Sequence, residues 1–240
     1  GPLARWKHAD ARDMAQRLRL AAVIAVVAGV GLPFLVGRWS PLVALGLLLA
    51  VWILASSAFQ IRERLRSGWP PRSYWGMHVA HIGMAVFVIG VTMVKGYEVE
   101  KDVRMALGDT VAMGAYTVRL DGVSEVRGPN YTAQRGDIAL LKDGELLRRL
   151  HPEKRNYFSS QMPMTETAID TGFTRDLYVS LGEALDRDGR VWSVRVYYKP
   201  FVTWIWAGCL LMSIGGGIAA ADRRYRLKQR SEVVVQGAPA

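Results

Sequence analysis

The chain has 240 residues, half of them hydrophobic and 22% charged, with a mean hydropathy of +0.10, a formal net charge of +10 and a single Cys. This composition excludes a disordered polymer and a disulfide framework or cysteine-built metal site. With no C-x-x-C-H segment, it also excludes covalent c-type haem on the chain itself.

Residues 1–19 are basic, carrying Arg5, Lys7, Arg12, Arg17 and Arg19. Four runs then lack any Asp, Glu, Lys or Arg: 17 residues at 20–36 and 21 each at 41–61, 74–94 and 201–221. A bilayer core of about 30 Å needs about 20 apolar residues in helical form. The runs predict transmembrane helices over 20–36, 41–61, 74–95 and 200–221, with Pro33 making the end of the first the least certain boundary. The first run starts inside the chain with no small-residue cleavage pattern after it, which argues against a signal peptide.

The flanks orient these spans. The link at 62–73 carries Arg62, Arg64, Arg66 and Arg72, and the tail at 222–240 carries Arg223, Arg224, Arg226, Lys228 and Arg230, whereas 37–40 has only Arg38. Basic flanks stay cytoplasmic, so both termini are expected inside and 96–199 outside. That outside segment holds 15 Lys/Arg against 16 Asp/Glu. The basic excess is therefore a topology signal, and no nucleic-acid partner is expected, because that would need cations clustered on a folded domain. Broken helices and mid-membrane charges, the marks of a transporter or channel, are not seen.

The segment 96–199 reads as β. Tyr116–Leu120 alternates and is followed by Asp121-Gly122. Residues 137–142 and 145–150 flank Asp143-Gly144, and 177–185 and 191–198 flank a second Asp-Gly at 188–189. Asp-Gly supplies the positive φ of tight hairpin turns. In the last strand Arg190, Trp192, Val194, Val196 and Tyr198 share one face, and Ser193, Arg195 and Tyr197 the other. The expected fold is an integral membrane α-helical protein with four transmembrane helices. An all-β domain of five to seven strands, an antiparallel barrel or sandwich of OB-like character, is inserted between the third and fourth. The stretch 152–175 reads as a loop or irregular strand, with a partner-facing surface as the sharper alternative. Glu166, Arg175 and Asp176 read as a structural ion pair or an interface. His151 is the one outside histidine, and no hydrolytic triad is visible.

The third span holds two histidines, His78 and His81. Ionisable groups inside a membrane helix are costly and mostly functional. Spaced i, i+3, the two rings project about 60° apart. A neutral imidazole is an axial ligand for haem iron, and Gly76 and Gly83 leave room for a flat macrocycle or a close helix. An interhelical hydrogen bond is the bland alternative. The other spans contain no histidine, so a second ligand would come from a different polypeptide or a missing part of this one. Cys209 reads as a packing residue. Trp69, Trp75, Trp204 and Trp206 read as interfacial belts.

The segment Gly76-Met77-His78-Val79-Ala80-His81-Ile82-Gly83 resembles the late histidine helix of the cytochrome c maturation CcmF (haem lyase) family. Further blocks agree in order. They are Glu100-Lys101-Asp102-Val103-Arg104-Met105, Gly128-Pro129-Asn130-Tyr131, Pro152-Glu153-Lys154-Arg155, Met162-Pro163-Met164-Thr165-Glu166, Arg175-Asp176-Leu177-Tyr178-Val179 and Tyr197-Tyr198-Lys199-Pro200-Phe201. The resemblance covers essentially the whole chain and is limited to the family's C-terminal part. It implies a fragment or a split-gene product whose N-terminal partner carries the tryptophan-rich haem-cradling segment, which Trp204-Ile205-Trp206 is not.

It further implies a b-type haem in the membrane with His81 as an axial iron ligand and His78 as second choice. Quinol is implied as electron donor. The implied partners are the missing N-terminal part, a CcmE-type haem chaperone, CcmH/CcmI-type proteins and apocytochrome c. The implied location is a bacterial inner membrane with the β domain in the periplasm. On this reading the chain is part of a haem lyase complex rather than a catalyst alone. The alternative is a non-catalytic scaffold whose β domain docks partners.

Overall fold

The computed structural model describes residues 11–160 and 162–222. The cations Arg5 and Lys7, and those of the tail from Arg223 onward, lie outside the described residues. The chain divides into two compact units, a helical one and one spanning Tyr97–Thr203.

The helical unit holds α1 (Ala11–Val36), α2 (Pro41–Arg66), α3 (Arg72–Tyr97) and α4 (Val202–Ala220). All four are long and apolar enough to cross a membrane. Gly37, at φ +115°, stops α1, as a residue in the left-handed region does at a helix end. Pro41 stands at the start of α2, where its missing N–H is no loss. This helix continues past the charge-free run, so that Arg64 and Arg66 occupy its last turn and favour the negative helix end. At the first turn of α3, the Ser73 N–H donates to the Asp222 carboxylate at 2.9 Å.

Small residues set the packing. A Cβ added to Gly83 would lie 2.6 Å from the Met212 nitrogen and 2.9 Å from the Gly208 carbonyl oxygen, and one added to Gly76 would lie 2.6 Å from the Gly215 oxygen. Gly208 and Gly215 meet the α3 backbone at Phe87 and Ala80 in return. The α3–α4 seam is thus backbone against backbone, a contact only glycine permits. On another face of α3, Thr92 meets Gly46 of α2 and Gly96 meets Val43.

The second unit has ten strands among the described residues: β1 (Val99–Ala106), β2 (Thr110–Met113), β3 (Tyr116–Arg127), β4 (Tyr131–Lys142), β5 (Glu145–Leu150), β6 (Glu153–Tyr157), β7 (Met164–Glu166), β8 (Ala168–Thr171), β9 (Arg175–Ala184) and β10 (Val191–Pro200). One sheet runs β1-β10-β9-β8. The other runs β2-β3-β4-β6-β7, with β5 also paired to β4. Every pairing is antiparallel. Of barrel and sandwich, the domain takes the sandwich. Between the sheets lies a core that includes Met105, Leu120, Ile138, Leu140, Leu177, Leu181, Trp192, Val194 and Val196. Trp192, Val194 and Val196 all point inward, as alternation predicts.

Both expected hairpins form. Asp143 and Gly144 sit at φ 52° and 86°, with Lys142 opposite Glu145. Asp121-Gly122 behaves differently: β3 runs straight through it, and the register with β4 shifts between Leu120 and Gly122. It is a bulge, which throws the Asp121 carboxylate toward Arg119 (2.5 Å) and Arg149 (3.2 Å). The stretch 152–175 is also more ordered than a loop. It supplies β6, and then a β7–β8 strand that leaves one sheet and joins the other across Thr167.

Arg175 pairs with Asp170, not with Asp176 or Glu166. Its Nη1 donates to the Asp170 carboxylate and, at 2.9 Å, to the Asp170 carbonyl, and its guanidinium lies 4.5 Å over the Tyr116 ring. Asp170 is 4% exposed, and its only other cation partner among the described residues is Arg148, at 3.1 Å and 59% exposed. Removing one member of a buried pair costs about 3–5 kcal/mol. Arg175→Met should therefore lower the opening free energy of the β8–β9 amides by about that amount in hydrogen exchange on the full chain. The double variant Arg175→Met/Asp170→Asn should recover part of the loss.

A second buried carboxylate, Glu153, accepts from Arg135 at 2.7 Å and Arg155 at 2.8 Å. Burial pushes its carboxyl up, and the two guanidinium bonds outweigh this and hold it below the usual range. A depressed folded value means stability is fully present above the unfolded pKa of about 4.3 and is lost as pH falls through the folded one. The Tm gap between wild type and Glu153→Gln should be constant at neutral pH and close as pH drops below about 4. A gap that widened in acid would refute the assignment.

Candidate functional site

α3 carries both intramembrane histidines, and the structure sends them to different faces. The Nδ1 of His81 lies 2.7 Å from the Met77 carbonyl oxygen one turn back. A carbonyl can only accept, so Nδ1 holds the hydrogen, and in the neutral ring the lone pair sits on Nε2. Nε2 has no partner among the described residues, and His81 is exposed. At helical spacing it shares its flank with Met77, Met84 and Val88, and Met84 is 42% exposed. The flank is therefore a strip of thioether and aliphatic side chains with one imidazole nitrogen directed outward.

His78 is 2% exposed, and both its ring nitrogens are buried without a partner. Its ring lies edge-on to Tyr74, with centroids 4.4 Å apart. At seven-residue steps His78, Ala85 and Thr92 form one stripe, the one that meets α2 through Thr92 and Gly46. The two imidazoles are thus neighbours along the helix without sharing a site. An external group can reach His81 and not His78. Beside them, Pro71, Ser73, Tyr74, Met77, Ala219 and Ala220 line an open, largely apolar hollow of about 580 Å³.

Among the remaining sequence candidates, His151 lies 3.9 Å from Asp137 and joins no catalytic cluster. No group of three or more metal-binding side chains occurs among the described residues. Cys209 is a free thiol on α4. The β domain holds one feature that sequence reading missed, a polar trough of about 410 Å³ lined by Asp102, Lys154, Thr165, Thr167, Ser180, Leu181, Gly182, Ser193, Arg195 and Tyr197. Its signal was present in part, since Ser193, Arg195 and Tyr197 occupy the outward positions of one strand.

Comparison with known proteins agrees with this architecture. The family described as CcmF C-terminal beta-sandwich matches residues 96–200. The cytochrome c-type biogenesis protein CcmF of Pseudomonas aeruginosa is 42% identical over 241 residues, covering 97% of this chain and 36% of that protein.

Residues 96–200 belong to the CcmF C-terminal family, and nearly the whole chain is similar to part of CcmF.

The Escherichia coli CcmF is 41% identical over 228 residues, covering 94% of this chain and 35% of that protein. A solved structure, Cytochrome c Heme Lyase CcmF, matches with a TM-score of 0.72 at 19% identity, over 90% of this chain and 35% of that one. The chain thus spans about a third of the length of the curated CcmF relatives it matches. Four helices long and apolar enough to cross a membrane, together with the likeness to CcmF, make it a multi-pass membrane protein.

Proposed function

We propose that this chain is the part of a cytochrome c haem lyase in which His81 would hold the iron of a membrane b-type haem, and that the assembled protein passes haem from a CcmE-type chaperone to apocytochrome c for thioether attachment. The observation that carries the reading is the His81 ring. Its Nδ1 hydrogen is held by the Met77 carbonyl at 2.7 Å and its Nε2 is left outward on an exposed apolar flank. Metal-ligating histidines are oriented in this way, one nitrogen donating to a carbonyl while the other binds.

The residues present fit the group. Met77 and Met84 offer polarizable apolar surface above and below His81, and the orphan Nε2 gains a partner in a medium where an unpaired polar atom is costly. A bound haem supplies one-electron chemistry at its iron. The chain's own part is to orient His81, to fix its tautomer and to exclude water along the flank. His78, enclosed between helices, serves as no ligand in this reading. A second iron ligand, where the haem has one, would come from outside this chain's other spans, which hold no histidine. Quinol, as electron donor, suits the open hollow between Tyr74, Met77 and Ala219. The reading places the chain in an inner membrane with its basic flanks inside and the β domain in the periplasm, working with CcmH/CcmI-type proteins.

The test is the optical spectrum of the complete protein purified with this chain in place. A reduced b-type spectrum is expected in the wild type and its loss in His81→Ala. Retention of full haem content in that variant would overturn the ligand assignment.

A further inference from the structure

We propose that the turn between β8 and β9, Gly172-Phe173-Thr174, is a lipid anchor: its tip lies in the headgroup layer of the bilayer that α3 and α4 cross, with the Phe173 ring turned toward the acyl chains.

Chain geometry puts the turn at that layer. The β domain is entered from α3 at Tyr97 and left for α4 at Val202. β1 and β10 pair antiparallel with Val99 opposite Tyr198, so both crossings are at one end of the sandwich. α4 has 19 residues, which at ~1.5 Å each cover about 28 Å, barely the ~30 Å of a hydrocarbon core. It has no length to spare, so its first residues stand at the edge of that core. The turn is bonded to these residues. The Phe201 N–H donates to the Thr174 carbonyl at 2.9 Å, and the Thr203 hydroxyl donates to the Gly172 carbonyl at 3.0 Å. A turn within hydrogen-bonding distance of the core's edge is inside the interfacial layer, which is about 5–8 Å deep on each side.

The chemistry of the turn fits. Thr171 to Thr174 carry no charge, and Phe173 is 72% exposed, a large apolar ring that gains by leaving water. The charged groups at the base of the turn face inward. Arg175 is paired to Asp170, and Asp176, 4% exposed, accepts from the Gly172 N–H at 3.2 Å. Lowering the tip into the interface therefore desolvates no charge. With the Gly172 N–H, the Gly172 carbonyl and the Thr174 carbonyl all engaged, the tip is already ordered, and insertion costs little conformational freedom. Behind it, the Lys199 ammonium lies 5.4 and 5.2 Å from the Tyr178 and Tyr197 rings, the residue types that settle at headgroup level. The far end of the same two strands is different in kind: the β9–β10 hairpin carries Asp186, Arg187, Asp188 and Arg190. One end of this sheet suits water and the other suits lipid.

This inference needs only that α3 and α4 cross a bilayer. It depends neither on His81 nor on which side of the membrane the domain lies.

The complete protein, in a cysteine-free background with Cys209→Ala in this chain, is placed in phosphatidylcholine nanodiscs whose acyl chains are brominated near the headgroup. A bimane label on Thr174→Cys, which keeps Phe173, should lose most of its fluorescence relative to unbrominated discs, and the same label on Phe173→Cys should lose it too. A label on Arg187→Cys, at the far end of the sheet, should lose none. Should Thr174→Cys fail to fold, Phe173→Cys decides alone. Emission that stays strong in the brominated discs overturns the proposal, whether red-shifted, with the tip in water, or blue-shifted, with the tip covered by another part of the complete protein or by a partner. Equal quenching at Arg187→Cys overturns it as well, because the domain would then lie on the membrane without regard to this turn.

Discussion

Complete protein carrying His81→Ala should retain less than about a tenth of its b-type haem, because even supporting groups around a metal ligand cost 10–100-fold in affinity. His78→Ala should keep nearly all of it. The contrast follows from direction, not from position along the chain. Both rings lie within one turn of each other, yet one is exposed with a hydrogen-bonded Nδ1 and the other is sealed at 2% exposure. Removing the His78 ring also removes two buried, unpartnered nitrogens, so the change relieves a desolvation penalty while opening a small void. Its net effect on helix stability should be within about 1–2 kcal/mol.

A third variant separates ligation from packing. His81→Gly leaves a gap on an exposed flank, where free imidazole can enter. Imidazole at millimolar concentration should restore the low-spin spectrum of His81→Gly and do nothing for His81→Ala paired with a bulky Met77→Trp beside it. If imidazole restores neither spectrum nor haem content, His81 holds the helix rather than the iron.

Much of the architecture is legible in the sequence, and for physical reasons. A run of about 20 uncharged residues has few alternatives to a membrane helix, so all four helices stood out. Asp143-Gly144 and Asp188-Gly189 fixed two hairpins because few other residues tolerate positive φ there. The same dipeptide at Asp121-Gly122 misled, since there the strand continues and the extra residue is taken up as a bulge. The strands in 152–175 were hidden for a different reason. At three to five residues each, they are too short to show alternation. They exist because neighbouring strands offer an edge, which is tertiary information.

The candidate site was half legible. Spacing placed His78 and His81 about 60° apart, but only packing against α2 decides which of them is closed in. Asp222 was unreadable as a helix cap, because its partner Ser73 lies 149 positions away. The trough was hidden likewise, because its walls come from five strands that no local pattern connects. Sequence periodicity reports which face of an element is apolar. It does not report what the polar face of one strand will share with the end of another.

The glycine seam shows how far such a hidden contact reaches. Gly83→Val should destabilise the helical unit by about 3 kcal/mol, at the upper end of the usual cost of overpacking, whereas Gly216→Ala should be close to neutral. The seven-residue step from Gly76 to Gly83 recurs from Gly208 to Gly215, and the antiparallel pair aligns them so that each faces backbone. At Gly83 the obstacles to a new Cβ are the Met212 nitrogen at 2.6 Å and the Gly208 oxygen at 2.9 Å. Neither is the end of a flexible side chain, so the helices must separate. At Gly216 nothing lies within 4 Å, and alanine gains helix propensity there. Separation would also move α3 relative to the Asp222 carboxylate that accepts from Ser73, and with it the flank that presents His81. The expected signature is a lowered melting temperature of the detergent-solubilised complete protein together with partial haem loss, the haem spectrum retaining its shape. A Gly83→Val protein with wild-type melting and full haem would mean that α3 and α4 are not packed as tightly as this seam requires.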